Sequence, residues 1–378
     1  MKLNIGVIFG GRSGEHEISV RSAITVISQI DKERYNVIPI GISSTGAWLS
    51  PRESMALLPP EIGNLFPSQI ELIRSDEPND VGHLIRGELM PSLETGESEK
   101  LTHLDVAFPV LHGTYGEDGT IQGVFEMADI PYVGCGVIAS ACGMDKVMMK
   151  ILFRDAGLPI CDHVWFLRSD WENNKEGVIE RVENAIGYPC FIKPANLGSS
   201  VGVSKAESRD ALTRSIDHAA EFDRKIIVEE ALAAREIECA VIGNEEPKAS
   251  LPGEYLIRDQ NKAFLDYTEK YAGTGNNEFV VPAPVSDELS FRIQQLAIAA
   301  FKAVDGAGLG RVDFFLENES GRLLVSEINT LPGLTDASGF PKMWAATGMD
   351  FPEIIDDLIN LAFERHKDKS RNKTSLRG

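Results

Sequence analysis

The sequence predicts an α/β fold that becomes α+β in its later part, arranged as three domains at residues 1–142, 143–232 and 233–378. Three observations carry this reading. An apolar run ending in two glycines leads into a helix-periodic segment and a second apolar run, which is how a parallel α/β layer opens. Residues 190–230 alternate short strand-like runs with a glycine-serine loop and a polar helix, and residues 311–329 read as a hairpin with one polar face. A chain of 378 residues also has room for two or three domains at roughly 100 to 200 residues each.

In the first domain, residues 3–9 form a strand closed by Gly10 and Gly11, and Val20, Ala23, Ile24 and Ile27 then fall on one face of a helix. Residues 37–42 are the next strand. Residues 43–99, rich in proline, serine and acids, read as a long insertion with short elements and no assignable site, before a strand resumes at 106–111. Asp145 and Gly157 bracket a helix over 146–156 as N-cap and C′ residues. The second domain has strands at 190–193, 201–204 and 226–230 and a helix near 209–221. The third opens with a strand at 236–242. Its helix 291–304 carries Ile293, Leu296, Ala297 and Ala300 on one face, and its last helix lies near 352–363. The basic tail beyond it, with Lys367, Lys369, Arg371, Lys373 and Arg377, reads as a frayed terminus.

Composition removes several functions. With 57 acidic and 37 basic residues the net charge is −20, which opposes sequence-independent binding to nucleic acid or to an anionic membrane. The five cysteines are odd in number and show no C-x-x-C spacing, so they read as buried thiols in a reducing compartment. The opening apolar run has the character of a first strand rather than a signal peptide, and no stretch approaches the roughly 18 apolar residues of a membrane span, so a cytoplasmic location is expected. Neither a G-x-S-x-G elbow nor a cysteine nucleophile motif occurs, which leaves covalent hydrolase chemistry unsupported.

The hairpin is the most informative stretch. A three-residue turn at 319–321 sets Asp313 opposite Glu327 and Arg311 opposite Asn329. Strand alternation puts all four on one face, with Val312, Phe314, Leu324 and Ile328 on the other. Two acids and an amide together form a hard-oxygen site suited to Mg²⁺, whereas a solvated edge would leave opposed carboxylates repelling each other. Residues 195–202 follow a strand ending in Lys193 and can turn backbone N–H groups and the Ser199 and Ser200 hydroxyls toward phosphate, although an ordinary hairpin turn has the same composition. Gly10 to Gly14 misses the G-x-G-x-x-G spacing, so a nicotinamide-linked oxidoreductase remains open on weak grounds. Glu15, at the start of the first helix, fits either helix-dipole stabilisation or a ligand role, and His112 follows another strand at its carboxyl edge.

Taken in order, Gly10-Gly11-Arg12-Ser13-Gly14-Glu15-His16-Glu17, Leu111-His112-Gly113 with Gly116-Glu117-Asp118-Gly119, Met144-Asp145-Lys146, Lys193-Pro194 with Gly198-Ser199-Ser200-Val201-Gly202, Glu269-Lys270-Tyr271, Arg311-Val312-Asp313 and Glu327-Ile328-Asn329-Thr330-Leu331-Pro332-Gly333 resemble the D-alanine–D-alanine ligase family of ATP-grasp carboxylate-amine ligases. The resemblance runs from Asn4 to about Leu361. It implies a three-domain ATP-grasp architecture, with ATP between the central and C-terminal domains and the amino acids between the N- and C-terminal ones. Lys146, Lys193, Ser199 and Ser200 would hold the phosphates, with Lys270 also on the nucleotide. Glu229, Leu232 and Glu236 would hold adenine and ribose. Asp313, Glu327 and Asn329 would bind two Mg²⁺ ions, with Mn²⁺ as the alternative. Glu15 would anchor the first D-alanine with His112 beside it, while Arg311, the Gly333 N–H and Ser338 would serve the second D-alanine and the oxyanion. Ser199 and Tyr271 would join Glu15 in a network closing the site.

The implied chemistry is phosphorylation of a carboxylate by ATP to an acyl phosphate, then attack by the second amine, in the service of peptidoglycan precursor synthesis by a homodimer. One departure is that Glu230 and Ala231 stand where relatives often carry a lysine and an aromatic residue. Ligation to D-lactate or D-serine and a non-catalytic nucleotide-binding module are the remaining alternatives. The module would require loss of the metal face, whose three oxygen ligands are all present in the sequence.

Overall fold

Leu3–Gly10 (β1) is buried along six consecutive residues, as expected of a strand covered on both faces. It lies between Tyr35–Ile42 (β2) and Val106–Pro109 (β3) in a parallel sheet of order β2-β1-β3. The structure, a computed structural model, describes residues 2–49, 51–63, 104–198, 201–257 and 277–373. Ile5, Val7 and Phe9 face one core, which includes Ala23, Val26 and Ile27 of helix His16–Gln29. Ile8 and Ile40 face another, with Ile121 and Phe125 of helix Thr120–Met127. Gly10 ends β1 at φ +89, where a Cβ would stand 2.2 Å from the Ile42 carbonyl oxygen, so only glycine makes this turn.

The second sheet has the order β4-β7-β5-β6, formed by His163–Leu167 (β4), Cys190–Pro194 (β5), Ser204–Ala206 (β6) and Lys225–Glu230 (β7), all antiparallel. The strand expected at 201–204 begins only at Ser204, because Gly202 takes a left-handed turn at φ +72. Helices Lys175–Ala185 and Arg209–Phe222 cover this sheet through Val178, Val182, Leu212 and Ile216.

Ala234–Gly243 (β8), Lys248–Ala249 (β9), Gly253–Ile257 (β10), Asn277–Val280 (β11), Gly308–Glu317 (β12) and Leu323–Asn329 (β13) form the third sheet, in the order β11-β10-β8-β12-β13 with β9 on β8. Helix Asp287–Ala303 packs Ile293, Ala297 and Ala300 on it. Helix Lys146–Asp155 joins the second and third sheets. Its Met149 and Phe153 enter the core of the third, whereas Val147 meets Ala195 and Ile227 of the second. Asp145 caps this helix by accepting from the Val147 and Met148 N–H groups, and Gly157 follows it at φ +72.

The hairpin reaches its expected pairing by a different path. Asp313 opposes Glu327 and Arg311 opposes Asn329, but nearer the turn Phe314 pairs with Val325 and Leu316 with Leu323. Ser326 is therefore a bulge, inserted between Val325 and Glu327. The turn is also one residue longer than the three expected, since the Glu317 N–H donates to Arg322 O at 3.0 Å around residues 318–321. The bulge cancels that extra residue at the polar face. It also puts Val325 rather than Leu324 in the core with Val312, Phe314 and Ile328.

The last helix, Phe351–Lys369, extends beyond its expected end and packs Ile354, Ile355, Leu358 and Ile359 against the first sheet. Lys367 and Lys369 are thus helical rather than frayed. Apolar periodicity stops near Phe363 because the contact beyond it is polar. The Arg365 guanidinium lies 4.1 Å from the Tyr132 ring centre and donates to Tyr132 O at 3.0 Å, and Lys369 pairs with Glu126.

Candidate active site

One cleft of about 270 Å³ opens where the three sheets meet. Lys193 is the penultimate residue of β5 and Glu229 lies on β7, with Lys193 opposite Ile227 in the register. Glu229 is thus the diagonal neighbour of Lys193 on the same face, within reach of a long side chain. Lys193 Nζ donates to Glu229 Oε2 at 2.7 Å. Lys150 reaches the same carboxylate from helix Lys146–Asp155, with Nζ 3.1 Å from Oε1. Burial alone would push the Glu229 carboxyl up, but the two lysines outweigh it and hold the group well below the usual carboxylate range. Burial likewise opposes charge on Lys150 and Lys193, and Glu229 more than offsets it in both, so each ammonium is held above its ordinary value.

Lys146 stands one helical turn before Lys150 on the same helix face. Its Nζ donates to Leu197 O at 2.7 Å and lies 4.0 Å from Glu327 Oε2. This brings one lysine from the helix, another from β5 and an acid from β13 to one wall. Across from them, Arg311 Nε and Nη2 donate to Asp313 Oδ1 and Oδ2, both at 2.7 Å. Asn329 Oδ1 accepts from the Leu331 N–H at 3.0 Å. Among the described residues no three His, Cys, Asp or Glu side chains gather as a metal site. The candidate set is two carboxylates and an amide, whose all-oxygen chemistry fits a hard divalent cation.

At the other end of the cleft, His112 is buried, with Nε2 3.0 Å from Ser22 Oγ and Nδ1 3.9 Å from Glu117 Oε1. Glu117 Oε2 accepts from the Gly113 N–H at 2.7 Å, which ties the glycine loop down. Glu15 precedes helix His16–Gln29 without a side-chain cap bond. A Cβ built on Gly113 would lie 2.9 Å from Glu15 Oε2, and one on Gly198 3.8 Å from it, so this carboxylate sits between the two glycine loops. Ser338 Oγ accepts from the Thr335 N–H at 3.2 Å and lies 2.7 Å from Thr335 Oγ1. Gly333, Leu232 and Glu236 also line the cleft. Ser199, Ser200, Lys270 and Tyr271 lie outside the described residues.

Glu238 and Lys150 are among the charged groups at the site that went unassigned in the sequence. Glu238, on β8, is buried directly opposite Asp313, with Oε2 3.5 Å from Arg311 Nε. Its signal was strand alternation from Glu236, which keeps both on one face. Lys150 had the four-residue spacing from Lys146 as its only sign.

Comparison with known proteins decides the family. The family models for the D-ala D-ala ligase N-terminus and C-terminus match residues 4–135 and 152–360. The chain belongs to the D-alanine–D-alanine ligase family. Among curated members, the D-alanine–D-alanine ligase of Heliobacterium modesticaldum is 46% identical over 378 residues, covering 99% of this chain and 98% of the relative. That of Bacillus cytotoxicus is 44% identical over 376 residues, covering 99% of each. Among solved structures, the D-alanine–D-alanine ligase from Coxiella burnetii superposes with a TM-score of 0.76 at 33% identity, covering 98% of both chains. The VanG D-Ala:D-Ser ligase from Enterococcus faecalis gives 0.77 at 34%, covering 96% of this chain and all of the other. The three-sheet architecture is therefore that of a ligase family, and the nicotinamide-linked alternative falls.

Proposed function

We propose that this chain joins two molecules of D-alanine into D-alanyl-D-alanine at the expense of ATP, releasing ADP and phosphate, as a step in making peptidoglycan precursors. The observation that carries the reading is the meeting of Lys146 and Lys193 with Asp313, Glu327 and Asn329 in one cleft of a ligase-family chain. Phosphoryl transfer is chiefly positioning and neutralisation of charge, and those two groups supply the two halves of that task. Lys146 and Lys193 would attract the nucleotide phosphates as fixed cations. Asp313, Glu327 and Asn329 would hold divalent cations, Mg²⁺ or Mn²⁺, two ions in the fullest reading. When bound, such ions supply neutralisation of the transferring phosphoryl group.

Glu15, held between the two glycine loops, would receive the ammonium of the first D-alanine, with His112 beside it. Arg311, the Gly333 N–H and Ser338 would surround the second substrate and the developing oxyanion. Ser199, Ser200, Tyr271 and Lys270 would complete the closed site, and Glu229, Leu232 and Glu236 the nucleotide end. No covalent enzyme intermediate is needed, since an acyl phosphate already activates the carboxylate. No helix among the described residues is long and apolar enough to cross a membrane. The family resemblance is what supports reading the chain as a cytoplasmic homodimer. The test is ADP release coupled to D-alanine, L-alanine, D-serine and D-lactate, with the product identified by mass. D-alanine-dependent ADP release yielding the dipeptide is expected. ADP release independent of any acceptor, or ligation of D-lactate or D-serine in preference, would overturn the assignment.

A further inference from the structure

Lys150 is a lysine whose side chain is only 1% exposed, behind Glu229 as seen from the cleft, and the ligation scheme gives it no task. Its ammonium lies 3.1 Å from Glu229 Oε1, 3.2 Å from Ser326 O and 3.4 Å from Cys161 Sγ. Glu229 turns its other oxygen to Lys193 at 2.7 Å. A single carboxylate paired only with Lys193 would cancel that lysine's charge. With two lysines against one carboxylate, the cluster instead keeps an excess of one positive charge; Lys193 and Glu229 both line the cleft, and Lys193 is the more exposed of the two.

We propose that Lys150 is a positioning residue that satisfies Glu229 from behind and so leaves Lys193 with uncompensated charge for a nucleotide polyphosphate. The same ammonium holds the carbonyl of the Ser326 bulge, the residue before Glu327, and so ties the nucleotide wall to the acidic face. This deepens the ATP-dependent reading and rests on it.

The charge argument separates from a packing argument by the number of phosphates on the ligand. Binding of AMP and of a non-hydrolysable β,γ-imido ATP would be measured by calorimetry on the full chain as wild type, K150M, K150R and K150M/E229Q. K150M keeps the length of the side chain without its charge. It is expected to lower the ratio of triphosphate to AMP affinity by about tenfold, as loss of one nearby charge in a partly screened site would. K150R is expected to keep the wild-type ratio. K150M/E229Q removes one charge of each sign, returning the excess to one positive charge, so its ratio should recover toward wild type. Using the ratio removes any contact Glu229 makes with the base or ribose.

Equal weakening of AMP and triphosphate in K150M would mean that Lys150 only supports packing, and would overturn the inference. So would an unchanged ratio, a failure of the double variant to recover it, or a folded K150R with a K150M-like ratio. Should K150M not fold, the K150R and double-variant results still decide. A wild-type protein that binds no triphosphate would sink the ATP reading and this inference with it, whereas the outcomes above sink the inference alone.

Discussion

Arg311 and Asp313, two residues apart on one face of β12, form a two-pronged ion pair in which both carboxylate oxygens accept from the guanidinium at 2.7 Å. Such fork-to-fork pairs are stronger than single charged hydrogen bonds. Asp313 is therefore held by a resident cation, and Glu327 opposite it lies 4.0 Å from the Lys146 ammonium. Both carboxylates face each other across the hairpin, so each should contribute to the pull on an incoming divalent ion. E327Q is expected to fold normally, to lose turnover, and to weaken Mn²⁺ binding in the nucleotide-free protein. The expected loss is at least about tenfold, the lower end for changes that only support a metal ligand. Titration of Mn²⁺ by electron paramagnetic resonance, with circular dichroism for the fold, checks both parts. Near-normal ADP release by folded E327Q at ordinary Mg²⁺ would remove Glu327 from the metal set.

K193A should act on ATP and spare the amino acid. Its removal leaves Glu229 still paired with Lys150, so the carboxylate is not stranded and the fold should survive. The cleft loses a fixed point charge, and kcat/KM for ATP is expected to fall by about 100-fold, a typical cost of losing one charge-stabilising donor. D-alanine binding, read by isothermal titration, should change little. A shift confined to the D-alanine KM would place Lys193 elsewhere in the reaction.

The opening strand, glycine turn and helix were legible because β1 is buried on both faces and only glycine fits at residue 10. The Asp313–Glu327 pairing was legible too, although the turn and the Ser326 bulge each differ from the simplest hairpin by one residue and cancel at the polar face. Local pattern cannot register a compensated pair of shifts of that kind. The docking of Phe351–Lys369 on the first sheet was not legible, because a helix's apolar stripe does not say which distant sheet will cover it. Nor was the Lys150–Glu229 contact, between residues 79 positions apart (229 minus 150) on a helix and a strand. A buried charge has no sequence signature of its own, since the partner that makes burial tolerable comes from the tertiary fold.

That buried trio should dominate the acid behaviour of the protein. Glu229 has a folded-state pKa below its unfolded value of about 4.3, so its stabilisation is complete above that pH and lost as pH falls through the folded value. E229Q leaves the buried Lys150 and the part-buried Lys193 without their counter-charge, a change expected to cost about 3–5 kcal/mol at pH 7. The gap between wild type and E229Q should be constant from pH 7 to 5 and shrink only below about pH 4, where Glu229 of the unfolded chain takes up a proton while the folded one stays ionised. Urea midpoints at pH 7, 5 and 3 measure it. A gap that closes already between pH 7 and 5 would show that Glu229 is not held in its charged form by the lysines.

The cysteines give a test of the cores on either side of the cleft. Thiol reagents attack the thiolate, so reactivity follows both exposure and pKa. Cys135, Cys161, Cys190 and Cys239 are buried. Burial pushes Cys135, Cys161 and Cys190 up to about 11 and Cys239 up to about 12. Cys142, in helix Val137–Met144, is only half-buried, and its thiol is raised by burial and then by Asp145. Native protein at pH 8 should therefore release one equivalent of chromophore promptly from an aromatic disulfide reagent, and the other four only at the rate of unfolding. C142S should abolish the fast phase without altering the slow one. Cys161 is the informative exception to watch, because Lys150 and Lys193 favour its thiolate while burial and Glu229 oppose it. A second fast equivalent that survives in C142S and disappears in C161S would show that the Lys150 pocket opens to solvent in the native state, and that the trio is less tightly closed than its distances indicate.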